Sequence, residues 1–193
     1  MSTKQDWKPG TMVYPLPAVL VSCADRHGRD NIITVAWTGT ICTDPAMLYI
    51  SVRPERFSYD LIKESMEFTV NLTTRELARA TDWCGVRSGR DFDKWKECGL
   101  TRQPGVKVSC PSIAESPLNI ECRVTNILPL GTHHMFMAQV VNVRAARDLI
   151  DPVTGAFDLE AAGLISYSHG HYYTQGDKIG KFGWTVRKSA QKK

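Results

Sequence analysis

The segment Ile32-Ile-Thr-Val-Ala-Trp-Thr-Gly-Thr40 is the stretch of this chain best suited to hold a ligand. Read as a strand, it carries Ile33, Val35 and Trp37 on one face. The other face is Thr34, Ala36, Thr38 and Thr40, all small. Small side chains make a shallow floor on which a flat ligand can reach the backbone, with hydroxyls and amides to bond a polar heterocycle edge. The same pattern suits a strand packed beneath a helix, and the spacing leaves both readings open. A second group follows in Met47–Arg53, where Leu48, Ile50 and Val52 share one face and Tyr49, Ser51 and Arg53 the other. Arg53 closes that strand just before a helix expected to begin with Ser58 as its N-cap, with Arg56 between them. Free N–H groups at a helix start and an arginine fork together make an anion site of the kind that takes phosphate. Arginines beside a turn are equally at home in solvent.

Two further segments carry polar chemistry. Lys94 stands among aromatics in Asp91-Phe-Asp-Lys-Trp95, after the stretch Cys84-Gly-Val-Arg-Ser-Gly-Arg90. That setting fits a pocket rim or a short surface helix. His133 and His134 follow Gly131-Thr132 at the start of a strand, so their side chains point to opposite faces and cannot easily share a metal. No His, Cys or carboxylate spacing resembles a metal centre. Walker and G-x-G-x-x-G loops are missing, as is a G-x-S-x-G nucleophile elbow. The six cysteines, at 23, 42, 84, 98, 110 and 122, include no C-x-x-C pair, which removes the main support for a zinc ribbon or a thioredoxin-like site.

The elements that must position these residues are mostly strands. Ala18–Cys23 leads through the turn residues Asp25-Arg-His-Gly-Arg-Asp30 into a long strand over 32–43, closed by Asp44-Pro45. Strands over 47–53 and 66–72 flank a short helix over 58–65. Thr73-Thr-Arg-Glu76 reads as a capping box opening a helix of about ten residues. From 118 to 125, Leu118, Ile120, Cys122 and Val124 alternate with Asn119, Glu121, Arg123 and Thr125, the pattern of a half-buried strand. Met135–Val143 is apolar on both faces except for Gln139 and Asn142, so something outside the strand, such as a second subunit, is expected to cover it. Many strands and short connections predict a mainly β fold with short helices, a barrel with additions.

Composition narrows the function further. With 193 residues, 42% hydrophobic and 23% charged, the chain reads as a single domain over 1–193. Its core is expected over about 12–188, with a basic tail after 188. A net charge of +4, scattered along the chain, is too mild for a nucleic-acid stripe. The polar start and the lack of a long apolar run predict a cytoplasmic protein with no membrane span.

Taken in order, several pieces resemble one family. Asn31-x-x-Thr34-Val-Ala-Trp37, Asp44-Pro45, Tyr49-Ile-Ser-Val-Arg53, Ser58 and Phe68-Thr-Val-Asn71 resemble the flavin reductase-like proteins, which bind FMN in a split β-barrel. Gly131-Thr-His133 followed by Ala138-x-Val140 is similar to that family's Gly-Asp-His element, with Thr132 in place of the Asp. Tyr172-Tyr-x-x-Gly176 and Gly180-Lys-Phe-Gly183 resemble the flavoredoxin branch. The resemblance implies a homodimer with FMN near each interface. It assigns Asn31, Trp37, Thr38, Gly39 and Thr40 to the ring and ribityl chain, and Ser51, Val52, Arg53 and Ser58 to the ribityl and phosphate. Lys94 and His133 would lie near the ring: Lys94 to favour the reduced, anionic flavin, His133 to orient a nicotinamide or give a proton. The implied function is electron transfer from NAD(P)H, or exchange of electrons with protein partners alone.

Overall fold

The computed structural model describes residues 3–186, so the basic tail lies outside the described residues. The first half of the chain contains β1 (Leu16–Pro17), β2 (Val19–Ala24), β3 (Asp30–Val35), β4 (Thr38–Cys42) and β5 (Met47–Val52). Helix α1 (Phe57–Ser65), β6 (Glu67–Leu72), α2 (Ala78–Val86) and α3 (Lys94–Cys98) follow. Then come β7 (Arg102–Gln103), β8 (Ser112–Ile113), the long pair β9 (Leu118–Leu130) and β10 (His133–Ala145), and the hairpin β11 (Ile165–Ser168) and β12 (His171–Thr174). No helix among the described residues is long and apolar enough to cross a membrane.

Seven strands form one antiparallel sheet in the order β3-β2-β6-β9-β10-β5-β4. It curls so that one face of six of them, with Tyr59, Leu61 and Ile62 of α1, closes on a single apolar core that includes Val21, Ile50, Phe68 and Phe136. The chain's edge strands are β3 and β4, which are consecutive in sequence. The sheet is therefore a split barrel whose opening is spanned by the two residues Ala36 and Trp37. Here the single strand expected over 32–43 is overturned: β3 pairs with β2 while β4 pairs with β5, and the chain turns sharply between them. The Thr38 amide donates to the Ala36 carbonyl (3.0 Å) and the Ser51 amide to the Trp37 carbonyl (2.8 Å), which fixes the corner.

A second core covers the outer face of β2 and β3, where Leu20 and Ile32 meet Leu77, Ala80 and Cys84 of the α2 region and Trp95 of α3. The expected capping box does not form. Thr73 donates to the Ala18 carbonyl instead, tying the end of β6 to β2, and α2 starts only at Ala78 without a side-chain cap. Asp93 does cap α3, accepting from the amides of Trp95 (3.1 Å) and Lys96 (3.3 Å).

One other expectation changes. The polar face of β9 is in water only at Arg123 and Thr125. Asn119 and Glu121 are buried beneath the 104–113 segment, where Glu121 accepts from the amides of Val106 (2.8 Å) and Lys107 (2.7 Å). Strand β10 buries only Phe136 and Ala138 fully within this chain, while Val143 on it and Leu128 and Leu130 of β9 stay exposed.

Candidate functional site

The corner at Ala36 and Trp37 opens onto a cleft of about 610 Å³. One wall is the exit of β3, Ile33 to Trp37, and another is the end of β5, Ser51 to Arg53. Arg56, Asp82 and Gly85 come from the helices, His133 from the start of β10, and Tyr167, Gly170 and Tyr172 from the β11–β12 hairpin. A smaller pocket of about 160 Å³ adjoins it, sharing Ile33, Arg56 and Gly85. Asn31, Ser58 and Lys94 line that pocket together with the loop Arg87-Ser-Gly-Arg90.

The predicted residues therefore fall into three groups. Trp37, Ser51, Val52, Arg53 and His133 line the cleft, and Asn31, Ser58 and Lys94 line the adjoining pocket. Thr38, Gly39 and Thr40 line neither. Thr38 is buried and donates to the Tyr49 carbonyl (2.6 Å), Gly39 lies against the Tyr49 ring, and Thr40 is exposed on the β4 edge. The continuous small-residue floor is lost with the strand break. Only Thr34 and Ala36 face the cleft, and Thr34 spends its hydroxyl proton on the Thr81 carbonyl of α2.

Local chemistry explains the remaining placements. Ser58 is not an N-cap: α1 starts at Phe57, Arg56 holds the cap position without a side-chain bond, and Ser58 is buried one step inside. Its hydroxyl accepts from Asn31 Nδ2 (2.8 Å), which joins α1 to β3 across the pocket wall. Lys94 is no rim residue. It is buried, donates to the Cys84 carbonyl (2.7 Å), and burial pushes its ammonium below the usual lysine range. The two histidines diverge as adjacent strand residues must. His134 bonds the Tyr59 hydroxyl through Nδ1 (2.8 Å) on the core side, while His133 faces the cleft. Burial, then the cations Arg53 and Arg56, hold His133 below the ordinary histidine value, which favours its neutral imidazole. Thr132 Oγ1 stands 3.0 Å from its Nδ1.

Several cleft residues carried no sequence signal as site residues. Arg87 and Arg90 lie in a loop whose contact with α1 is made only in the fold. Arg90 donates to the Glu55 carbonyl (2.9 Å) and its guanidinium lies 5.6 Å from the Phe57 ring centroid. Tyr172 donates to Asp82 (3.3 Å) across the cleft mouth, and burial followed by the Asp82 charge pushes its phenol up to about 12. The smaller pocket thus gathers Arg56, Arg87, Arg90 and Lys94 against one carboxylate, Glu55. Chemically, the arrangement pairs an aromatic-walled slot having polar edges with an anion-binding end.

Comparisons with known proteins agree on one family. The flavin reductase like domain model matches residues 11–175. An uncharacterized protein of Pyrococcus abyssi is 30% identical over 169 residues, 87% of this chain and 95% of that protein. Among solved structures, the flavoredoxin of Desulfovibrio vulgaris (Miyazaki F) is similar with a TM-score of 0.89 and 28% identity, covering 96% of this chain and 100% of its own. An FMN-binding protein from Thermus thermophilus has a TM-score of 0.77 at 22% identity, over 94% and 98% of the two chains. With its split barrel and a family match across most of its length, the chain belongs to the flavin reductase-like, flavoredoxin-like family.

Proposed function

We propose that this protein binds FMN in the cleft and its adjoining pocket and acts as an oxidoreductase that takes electrons from NAD(P)H. The observation that carries the reading is the continuity of the two cavities. An aromatic-walled cleft of about 610 Å³ leads past Arg56 into a pocket with four cationic side chains and one carboxylate. The size suits a cofactor site, since such pockets run to roughly 300–1,000 Å³. The donor set suits the group: apolar and aromatic walls for a flat ring, cations and the start of α1 for a phosphate.

Trp37, Tyr167 and Val52 would hold the ring, Asn31 and Ser51 the polar chain, and Arg56, Arg87 and Arg90 the phosphate. Arg53, paired with Glu55 (3.2 Å), stands at the junction. Bound FMN would supply the redox chemistry, accepting a hydride from a reduced nicotinamide and releasing electrons to an acceptor. The chain's part is to bind and orient. His133, kept neutral, can accept a hydrogen bond from a donor in the cleft or hold a proton at its ring nitrogen. Lys94 places a buried cation behind the pocket wall, where it favours the more negatively charged, reduced form of a bound flavin.

The exposed apolar residues Leu128, Leu130 and Val143 on β9 and β10 support a homodimer built on that face. Purified protein titrated with FMN and riboflavin, and then reduced anaerobically with NADH or NADPH, tests the whole reading. Yellow protein whose flavin fluorescence is quenched, bleached by one nicotinamide, is the expected result. Protein that binds FMN but is bleached only by a reduced protein partner would instead be an electron carrier, the role Thr132 in place of an acidic residue favours. Absence of FMN binding refutes both.

A further inference from the structure

Cys84 and Cys98 meet at the neck of the loop that carries Arg87 and Arg90, and the proposed reaction uses neither thiol. Their Sγ atoms stand 3.8 Å apart, across fourteen positions of sequence, and both are free. Each is held by its helix. Cys84 lies in the last turn of α2, buried in the second core with Leu20, Ile32 and Trp95. Cys98 ends α3, which is anchored by buried Trp95 and stopped by Gly99 in the left-handed conformation (φ 63°). Lys94 and Cys98 are four residues apart, so they share one face of α3. That face grips Cys84 twice: Lys94 Nζ donates to its carbonyl (2.7 Å), and Cys98 touches its sulfur. A disulfide holds its sulfurs about 2.05 Å apart, so side-chain rotation has a gap of roughly 2 Å to close between helices already in place. Cys98 is half-buried and Cys84 buried, so an oxidant entering from solvent meets Cys98 first. Burial pushes the Cys84 thiol up to about 12 and holds Cys98 above its ordinary value, while the Lys94 cation opposes both shifts. Thiolates are therefore scarce and the pair reacts slowly. The other thiols are placed differently. Cys23, Cys110 and Cys122 are fully buried, and Cys42 on β4 donates to the Asp44 carbonyl (3.4 Å).

We infer that hydrogen peroxide converts Cys84 and Cys98 into a reversible disulfide, which staples the loop between α2 and α3. Cys98 Sγ attacks one peroxide oxygen: an S–O bond forms, the O–O bond breaks, and the leaving hydroxide takes the thiol proton as water. Cys84 Sγ then attacks the sulfenic sulfur of Cys98. The S–S bond forms, the S–O bond breaks, and a second water carries off the second thiol proton. The two thiols lose two electrons and the peroxide gains them. This chemistry needs no flavin, so its test stands whether or not FMN binds. The unaltered chain, with no flavin added, is treated with hydrogen peroxide and then alkylated, and its peptides are mapped by mass before and after dithiothreitol. The expected result is a linked pair of peptides holding Cys84 and Cys98, two hydrogens lighter than the separate peptides and parted by dithiothreitol. Closing a loop of this length should raise Tm by roughly 5–10 °C over the same sample after dithiothreitol. Any methionine sulfoxide survives that reductant and cancels from the comparison. Cys98→Ser treated alike should give neither the linked peptides nor the shift in Tm. Free thiols at 84 and 98 after Cys42 has been oxidised, or Cys98 carrying oxygen with no link to Cys84, overturn the inference on the unaltered protein alone. A linked pair that leaves Tm unchanged overturns the staple.

Discussion

Gly89→Ala is the substitution whose consequence the structure defines most sharply. An ideal Cβ at that position lies 2.2 Å from Asn31 Oδ1, 2.6 Å from its Cγ and 2.8 Å from Phe57 Cδ1. Contacts this short cannot persist, so the side chain of Asn31, the loop or both must move. Asn31 is buried and its Nδ2 donates to Ser58 Oγ at 2.8 Å. Rotating it away leaves two buried polar groups without partners, worth about 1–3 kcal/mol. Overpacking against Phe57 adds about 1–3 kcal/mol. The sum, roughly 2–6 kcal/mol, lowers Tm by roughly 4–24 °C for a domain of this size, and FMN binding should weaken with it. A double-mutant cycle identifies the cause. Asn31→Ala removes the two nearest atoms, so Gly89→Ala should cost at least about 1 kcal/mol less in that background. A Gly89→Ala protein that melts like the unaltered one would refute the close packing of loop 87–90 on Asn31. Strict additivity in the cycle would move the clash to Phe57 alone.

Other consequences are as direct. Arg56→Ala should weaken FMN binding roughly ten- to a hundredfold and leave riboflavin nearly unaffected, whereas Arg53→Ala should cost less because Glu55 already compensates its charge at 3.2 Å; fluorescence titrations read both. Lys94→Met should lower the reduction potential of bound FMN, since a cation roughly 4–16 Å away is worth about 1–4 kcal/mol at an effective dielectric near 20; potentiometric titration showing an unchanged or raised potential would place Lys94 away from the ring. His133, held below the ordinary value of 6.5 by burial and then by Arg53, should titrate upward in Arg53→Ala by NMR. Because its folded value is depressed, the unfolded chain takes the proton first, so this group costs stability as pH falls through that range and costs nothing above it. Sedimentation of apo- and FMN-loaded protein should show a dimer that dissociates less readily when loaded, since binding that favours the dimer must tighten it by the same factor. A monomer at tens of micromolar with FMN bound would remove the β9–β10 interface.

Much of the fold was legible because burial on one face leaves a period-two trace. Leu48, Ile50 and Val52 alternate with Tyr49, Ser51 and Arg53, and the structure buries the first set and lines the cleft with two of the second. The trace fails where a polar face is covered by a loop. Asn119 and Glu121 look solvent-facing by type, yet backbone amides of the 104–113 segment satisfy Glu121 and an amide network satisfies Asn119. No local pattern announces such a cover, because the covering groups are main-chain atoms, present in every sequence. Capping signals fail for a related reason. A hydroxyl bonds whichever acceptor the fold brings near, and Thr73 finds the Ala18 carbonyl, 55 residues away, before its own helix.

The candidate site divides along the same line. Ser51 on β5, with Arg53 one residue beyond its end, and His133 at the start of β10 could be grouped from sequence because strand geometry sets their direction. Those on the loop after α2 could not. Arg87 and Arg90 look like ordinary solvated arginines until Gly89 lets the loop press on Asn31 and Phe57, which sets the Arg90 guanidinium over Phe57 of α1 while that of Arg87 lies over Phe92. The small-residue floor was read as one strand and is instead a corner. That difference accounts for the cleft itself. A straight strand over 32–43 would have kept pairing along one edge, whereas the turn at Ala36 and Trp37 carries the chain from one edge of the sheet to the other. The gap in the barrel lies beside this crossing, and there the ends of β3 and β5, α2 and the β11–β12 hairpin stand apart. The opening is thus a product of the strand order, and Trp37 faces it because it is the residue at which the chain crosses.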